Sequence, residues 1–373
     1  MKKGNPVNLK KGLLVRGDSV NCPLAFSLDS YSNCEPDCIN CHFRRLNKIW
    51  DMSLRPLDFE NFERTLKNGV TNKNPRSPLA WALAQKKTIR FGNKADPFQE
   101  LAEHKYRVSK RVLEVLRDYR WPVVIETKFT HVLMEYEATL AIMKPHLHIF
   151  PIISPGFEQD WEIFERQKTT PPEARLTQLE KWKDAGFRVG VNGEPFIPGY
   201  HTVEQFEETL KLLKSHKIPS YNTYNLHLNE FVAKRLADLG LDIRKIWNAN
   251  KDDQWRPVLQ QLIELARKYD IVLGSPDFIN SGAYFDKNNT CCGLEVDNPC
   301  TFNTHTWKRL LISGEDPNAI LDKTWDGVGE FELGRKVMFG PSDKFYTIRD
   351  IDWGKTAPPF APTDGKPLTD GLE

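Results

Sequence analysis

Asn33-Cys34-Glu35-Pro36-Asp37-Cys38-Ile39-Asn40-Cys41-His42 follows a short apolar run, Leu24–Leu28, and spaces three thiols as C-x3-C-x2-C. A loop this short offers its cysteines as one wrapped ligand set. A [4Fe–4S] cubane has four irons, each wanting a thiolate, so three protein ligands leave one iron open to a non-protein ligand. Zinc would take three cysteines and a histidine, or four cysteines, with two ligand pairs usually apart in sequence. Here His42 directly follows Cys41, and both gripping one ion from adjacent positions is awkward. The other adjacent pair, Cys291 and Cys292, is no C-x2-C knuckle. A disulfide framework is the poorest reading, because seven cysteines is odd and the N-terminus lacks a signal-peptide pattern. The cluster is the favoured reading of the spacing.

The open iron suggests a second cofactor. If its ligand is the amino and carboxylate end of S-adenosylmethionine, reductive cleavage of the sulfonium bond yields a 5′-deoxyadenosyl radical. Chemistry of that kind belongs to cofactors, with the protein supplying position.

Bulk composition is that of an ordinary globular protein. The 373 residues are 40% hydrophobic and 27% charged, with a net charge of +2 that neither demands nor excludes nucleic acid. No run approaches the roughly 20 apolar residues of a membrane span. A reducing, cytoplasmic location is expected, and it suits free thiols and an oxygen-sensitive cluster.

From residue 24 onward, short apolar runs alternate with amphipathic stretches, the pattern of βα units. Strands are expected at Leu24–Leu28, Thr88–Phe91, Val123–Thr127, Leu147–Ile153, Arg188–Asn192 and Ser220–Leu226. Helices are expected at Phe59–Asn68, Lys105–Tyr119, His131–Met143, Pro172–Ala185, Val203–Ser215 and Asn229–Leu239. Thr202 before Val203-Glu-Gln205 and the glycines 186 and 240 supply caps. Six such units make an α/β fold, a partial (β/α)6 barrel, whose strand C-termini share one functional face. The cysteines follow the first strand, on that face. Later, Arg256–Tyr269 reads as a helix and Ile271–Gly274 as a short strand. The expected organisation is an N-terminal extension (1–21), the barrel (22–245), a C-terminal extension covering the substrate (246–355) and an extended Pro-rich tail (356–373).

On these residues the chain resembles the radical S-adenosylmethionine superfamily and, within it, the spore photoproduct lyase-like branch. Phe91-Gly-Asn-Lys-Ala-Asp-Pro-Phe-Gln99 is similar to the branch's Thr-Asp-Pro-Tyr-Gln segment after the second barrel strand. Pro172-Glu-Ala-Arg-Leu176, Lys183-Asp-Ala-Gly-Phe-Arg-Val-Gly190 and Pro195-Phe-Ile-Pro-Gly199 match its helix, strand and Pro-Gly turn in order. The likeness spans residues 22–225. It implies that Cys34, Cys38 and Cys41 hold a [4Fe–4S] cluster and that S-adenosylmethionine binds beside it. It further implies that Gly92 and Asn93 lie near the methionine amino group, that Thr127 and Lys128 contact the cofactor, that Ser154 reaches its ribose or carboxylate, and that Arg175 pairs with its carboxylate. An electron donor such as flavodoxin or ferredoxin is implied as a partner. Without the resemblance, Arg175 reads equally as a solvated helix charge, Lys128 as a rim ion pair, and Ser154 and Asp96 as turn residues.

Two departures stand out. Asn40 occupies the position before the third cysteine, where many members carry an aromatic. Thr88–Gln99 lacks the hydrogen-donating cysteine of spore photoproduct lyases proper, which points to a relative with a different reaction. Late in the chain, Cys291, Cys292 and Cys300 read as structural thiols or hydrogen donors rather than a second cluster, and Tyr224 as a radical relay or a packing residue. The branch suggests a thymine-derived base or nucleotide in DNA as substrate, extruded or single-stranded. Lys10, Lys11, Arg16, Arg44, Arg45, Lys308 and Arg309, the last two beside Trp307, are candidates for phosphate contact. Rival readings are a radical enzyme acting on a peptide or small metabolite, and a zinc-stabilised nucleic-acid-binding protein without catalysis.

Overall fold

Val123-Val-Ile-Glu-Thr127 and Leu147-His-Ile-Phe-Pro151 are largely apolar runs, the composition of parallel strands covered on both faces. In the computed structural model they pair in parallel as β4 and β5, with Val123 opposite Leu147 and Thr127 opposite Pro151. The structure describes residues 24, 26–41, 54–73, 83, 84, 86, 88–275 and 292, and the backbone of 13–15, 337–338 and 345–346. Upstream of β4 stand β1 (Leu13–Val15), β2 (Phe26–Leu28) and β3 (Ile89–Phe91). Downstream are β6 (Arg188–Val189), β7 (Val191–Asn192), β8 (Ser220–Asn222) and β9 (Val272–Gly274). One sheet runs β1-β2-β3-β4-β5-β6 and a second runs β7-β8-β9, joined by a bridge between Ile152 and Asn192. Every pairing from β2 to β9 is parallel.

The expected α/β partial barrel is therefore present, with helices packed on a parallel sheet. Gly190 separates β6 from β7, where a side chain is excluded: a Cβ there would stand 2.3 Å from Ser220 Oγ. The sheet continues past residue 245, since β9 adds to β8 after the helix Asp252–Lys268. Ile271–Gly274 was legible as a strand, but its partner lies about 50 residues upstream, across that helix. Leu13–Val15, within the expected N-terminal extension, pairs antiparallel with β2. Three residues carry too little periodicity to announce a strand.

Alternation along the strands sorts two environments. Val123, Ile125, Leu147 and Ile149 join the large core under the helices, with Leu176, Leu179 and Trp182 of the helix Pro172–Asp184. Glu126 and His148, on the opposite side of the same strands, are buried polar residues. Thr202 caps the helix Val203–Ser215 through a reciprocal pair with Gln205, as its sequence position predicts. Two expected helices are broken. Arg107, at φ 52°, separates Glu100–Tyr106 from Val108–Asp118, and Glu135-Tyr136 separate Thr130–Met134 from Glu137–Met143. Glu103 holds the first break: its carboxylate accepts the N–H groups of Ser109 and Lys110 and the hydroxyls of Tyr31 and Tyr136. The short helix Phe157–Ile163 was not expected, because it opens on a left-handed Phe157 without a side-chain cap.

Candidate active site

Segments after the strand C-termini meet around the cysteine loop. The loop follows β2, and its backbone is fixed from two sides. Ile39 N–H donates to Phe164 O at 2.8 Å, while the Arg235 guanidinium donates to Cys38 O and Asp37 O, each at 2.9 Å. Cys34, Cys38 and Cys41 are all half-buried. Burial pushes the Cys34 thiol well up, with further push from Cys41 and Asp96. Burial raises the Cys38 thiol to about 11, with Lys128 opposing it. At neutral pH these two groups hold their protons until a metal displaces them.

Behind β3, Gly92 adopts φ 102°, and a Cβ there would fall 2.1 Å from Glu126 O, so only glycine fits. Its neighbour Asn93 is 7% exposed, and neither amide atom of its side chain has a hydrogen-bond partner. The following turn is pinned by Asp29, whose Oδ1 accepts the N–H groups of Asn93, Lys94 and Ala95. Asp96 then joins three elements. Its N–H reaches Cys34 Sγ at 3.1 Å, and its carboxylate accepts the Thr127 hydroxyl at 2.7 Å and the Lys128 N–H at 2.6 Å. Burial lifts the Asp96 carboxyl to about 6 against these bonds. The residue that read as a turn cap is the knot between the cysteine loop and β4.

Lys128 Nζ stands 3.7 Å from Cys38 Sγ and 2.8 Å from Glu165 Oε1. The rim ion pair and the cysteine contact coexist. Burial alone raises the Glu165 carboxyl, but Arg175 and Lys128 outweigh it and bring it down to about 2.

Arg175 corrects an expectation. It is 0% exposed, and all five guanidinium N–H donors are taken by Glu165, Thr169 Oγ1, Thr170 O and Ile152 O. No donor remains for a methionine carboxylate. Its target is Glu165, ten residues upstream in a loop that no sequence periodicity marks. Ser154, after β5, is half-buried and donates to Asp160 Oδ2 at 2.5 Å, an oxygen that His201 Nε2 also meets at 2.8 Å. Ser154 thus sits on the expected face, already engaged.

The barrel interior carries polar residues that the sequence reading missed. Glu126 accepts from Arg90 and Asn192, and Asn222 donates to Asn192 Oδ1 at 3.3 Å and Glu194 Oε1 at 2.8 Å. Period-two alternation in Val-Val-Ile-Glu-Thr was the available signal for Glu126. Tyr224 lies just past β8 with its ring 5.0 Å from that of His227. Cys292 is buried among Leu24, Val124 and Phe150, against the interior side of β4 and β5. Nearby, burial depresses His148 to about 4. Cys291, Cys300, His42 and the seven basic residues proposed for phosphate contact lie outside the described residues.

The residues fit the two implied groups. Three thiols on one anchored loop, each able to take a separate iron, suit a cubane. Among the described residues no group of three or more His, Cys, Asp or Glu side chains is already arranged to hold a metal ion. The orphaned Asn93 amide, beside a glycine that admits no side chain, leaves donors and acceptors for a polar ligand.

No family model and no curated protein matches this chain. Among solved structures, it is similar to a cysteine-to-serine mutant of spore photoproduct lyase. The TM-score is 0.52 and the identity 12%, covering 70% of this chain and 79% of the other. A cysteine-to-alanine mutant with dinucleoside spore photoproduct gives a TM-score of 0.51 at 13% identity, over the same shares. At this identity the likeness speaks for architecture alone: the chain has the fold of spore photoproduct lyase.

Proposed function

We propose that this protein is a radical S-adenosylmethionine enzyme acting on a thymine-derived base or nucleotide in DNA. The observation that carries the reading is the cysteine loop at the mouth of the parallel sheet, tied through Asp96 and Lys128 to the ends of β3 and β4. In this reading Cys34, Cys38 and Cys41 hold a [4Fe–4S] cluster. Asn93 and Thr127 line the cofactor side, and Lys128, whose three N–H donors meet Cys38 and Glu165, has one left for a carboxylate. When bound and reduced, the two cofactors supply a carbon radical that takes a hydrogen atom from substrate.

The protein's own work is position and exclusion. Asp96 and Arg235 fix the loop, and the interior polar group Arg90, Glu126, Asn192 and Asn222 presents donors and acceptors beneath the mouth. Tyr224 and Cys292 are the candidates for returning a hydrogen atom, since no cysteine stands between Thr88 and Gln99. The net outcome is lyase, isomerase or base-modifying chemistry. A flavodoxin- or ferredoxin-type protein delivers the electron, in a cytoplasmic setting. No helix among the described residues is long and apolar enough to cross a membrane.

The test is anaerobic incubation of the iron-loaded, reduced protein with S-adenosylmethionine, with and without single-stranded DNA. We expect 5′-deoxyadenosine to form, faster with DNA, and DNA binding to weaken steeply with salt. Absence of 5′-deoxyadenosine overturns the enzyme class. Its formation without any effect or binding of DNA overturns the substrate.

A further inference from the structure

Four ionisable groups form a chain of contacts behind the cysteine loop: Cys38 to Lys128, Lys128 to Glu165, and Glu165 to Arg175. Lys128 has little freedom at its root, because its N–H is held by Asp96 and its carbonyl accepts Thr170 N–H at 3.0 Å. Its side chain is 14% exposed, so solvent and salt screen it weakly. Glu165 is 4% exposed and is clamped by Arg175 and by the Thr169 hydroxyl. The same stretch, through Phe164 O, also holds the loop at Ile39. Arg175 therefore fixes Glu165, and Glu165 fixes the ammonium.

We propose that Lys128 is a positioning residue that donates to the Cys38 sulfur and raises the reduction potential of the cluster held there, with Glu165 setting its place. This rests on the cluster reading of Cys34, Cys38 and Cys41. The physical reason is charge. Reduction adds one negative charge to the cluster, and a cation 3.7 Å from a ligating sulfur stabilises the reduced state more than the oxidised one. Groups just outside a metal's ligands tune it in this way, and hydrogen bonds to the sulfurs are among the recognised levers. Glu165 opposes the effect in sign while securing it in geometry. Neutralising each charge while keeping the hydrogen bond should thus shift the potential in opposite directions, which a merely structural ion pair would not do.

The experiment is a redox titration of the anaerobically iron-loaded full chain, followed by electron paramagnetic resonance. Lys128→Gln should lower the midpoint and Lys128→Arg should restore it close to the wild-type value. Glu165→Gln keeps an amide oxygen to accept from Lys128 but drops the negative charge, so it should raise the midpoint. A Lys128→Gln midpoint equal to or above wild type overturns the proposal. Should Lys128→Gln fail to fold or hold iron, Glu165→Gln decides: an unchanged or lowered midpoint overturns the proposal. A wild-type protein that shows no cluster signal overturns the cluster reading itself, which separates the two failures.

Discussion

Asp96 and Lys128 are joined at 2.6 Å, the Lys128 N–H donating to a carboxylate whose own backbone N–H reaches Cys34 Sγ. One residue thereby couples the end of β4 to the first cysteine. Asp96→Ala leaves the Lys128 and Phe98 N–H groups and the Thr127 hydroxyl without their acceptor. We expect a loss of about 2–4 kcal/mol in stability, from the cost of leaving buried donors unsatisfied. Urea unfolding of the metal-free protein measures it.

Gly92 offers a sharper backbone test. Gly92→Ala forces a Cβ into Glu126 O and Pro97 Cδ at a φ that side chains rarely adopt. The expected loss is at least about 2 kcal/mol, seen as a lower midpoint in the same unfolding experiment.

Glu165 predicts a pH dependence. Its carboxyl lies at about 2 in the folded protein, below its ordinary value of 4.5, so the folded state favours the charged form. That contribution is fully present above about pH 5 and fades as pH falls from about 4.5 toward 2. The stability gap between wild type and Glu165→Gln should be constant near neutrality and shrink in acid. A gap that widens below pH 4 contradicts the assignment.

Arg235 should matter for the loop and little for the fold. Its guanidinium spans Cys38 O, Asp37 O and the Asp37 carboxylate from the helix Glu230–Ala237. Arg235→Ala is expected to leave the unfolding midpoint nearly unchanged while iron is lost to a chelator several-fold faster, followed by absorbance.

Much of the framework was legible because parallel strands are apolar runs set between amphipathic helices. Val123–Thr127 declares itself in that way, and the three cysteines announce their loop by spacing alone. What was not legible depends on partners distant in sequence. Arg175 sits on a helix and reads as a charge available to a ligand, yet Glu165, in an irregular loop, consumes it. Asp96 reads as a turn residue because its acceptor role toward Thr127 and Lys128 spans some thirty residues. The interior set around Glu126 is assembled from β3, β4, β7 and β8, so no local window contains it. β9 shows the same limit in the fold: its strand character is local, its membership of the sheet is not.

The central claim is that Cys34, Cys38 and Cys41 hold a four-iron cluster with one iron open to S-adenosylmethionine. Electron paramagnetic resonance of the dithionite-reduced, iron-loaded protein, recorded with and without S-adenosylmethionine, tests it most directly. The account predicts a [4Fe–4S] signal in the wild type that changes when S-adenosylmethionine is added, and no such signal in Cys38→Ala. A spectrum indifferent to S-adenosylmethionine, or a colourless protein that retains only zinc, would contradict it.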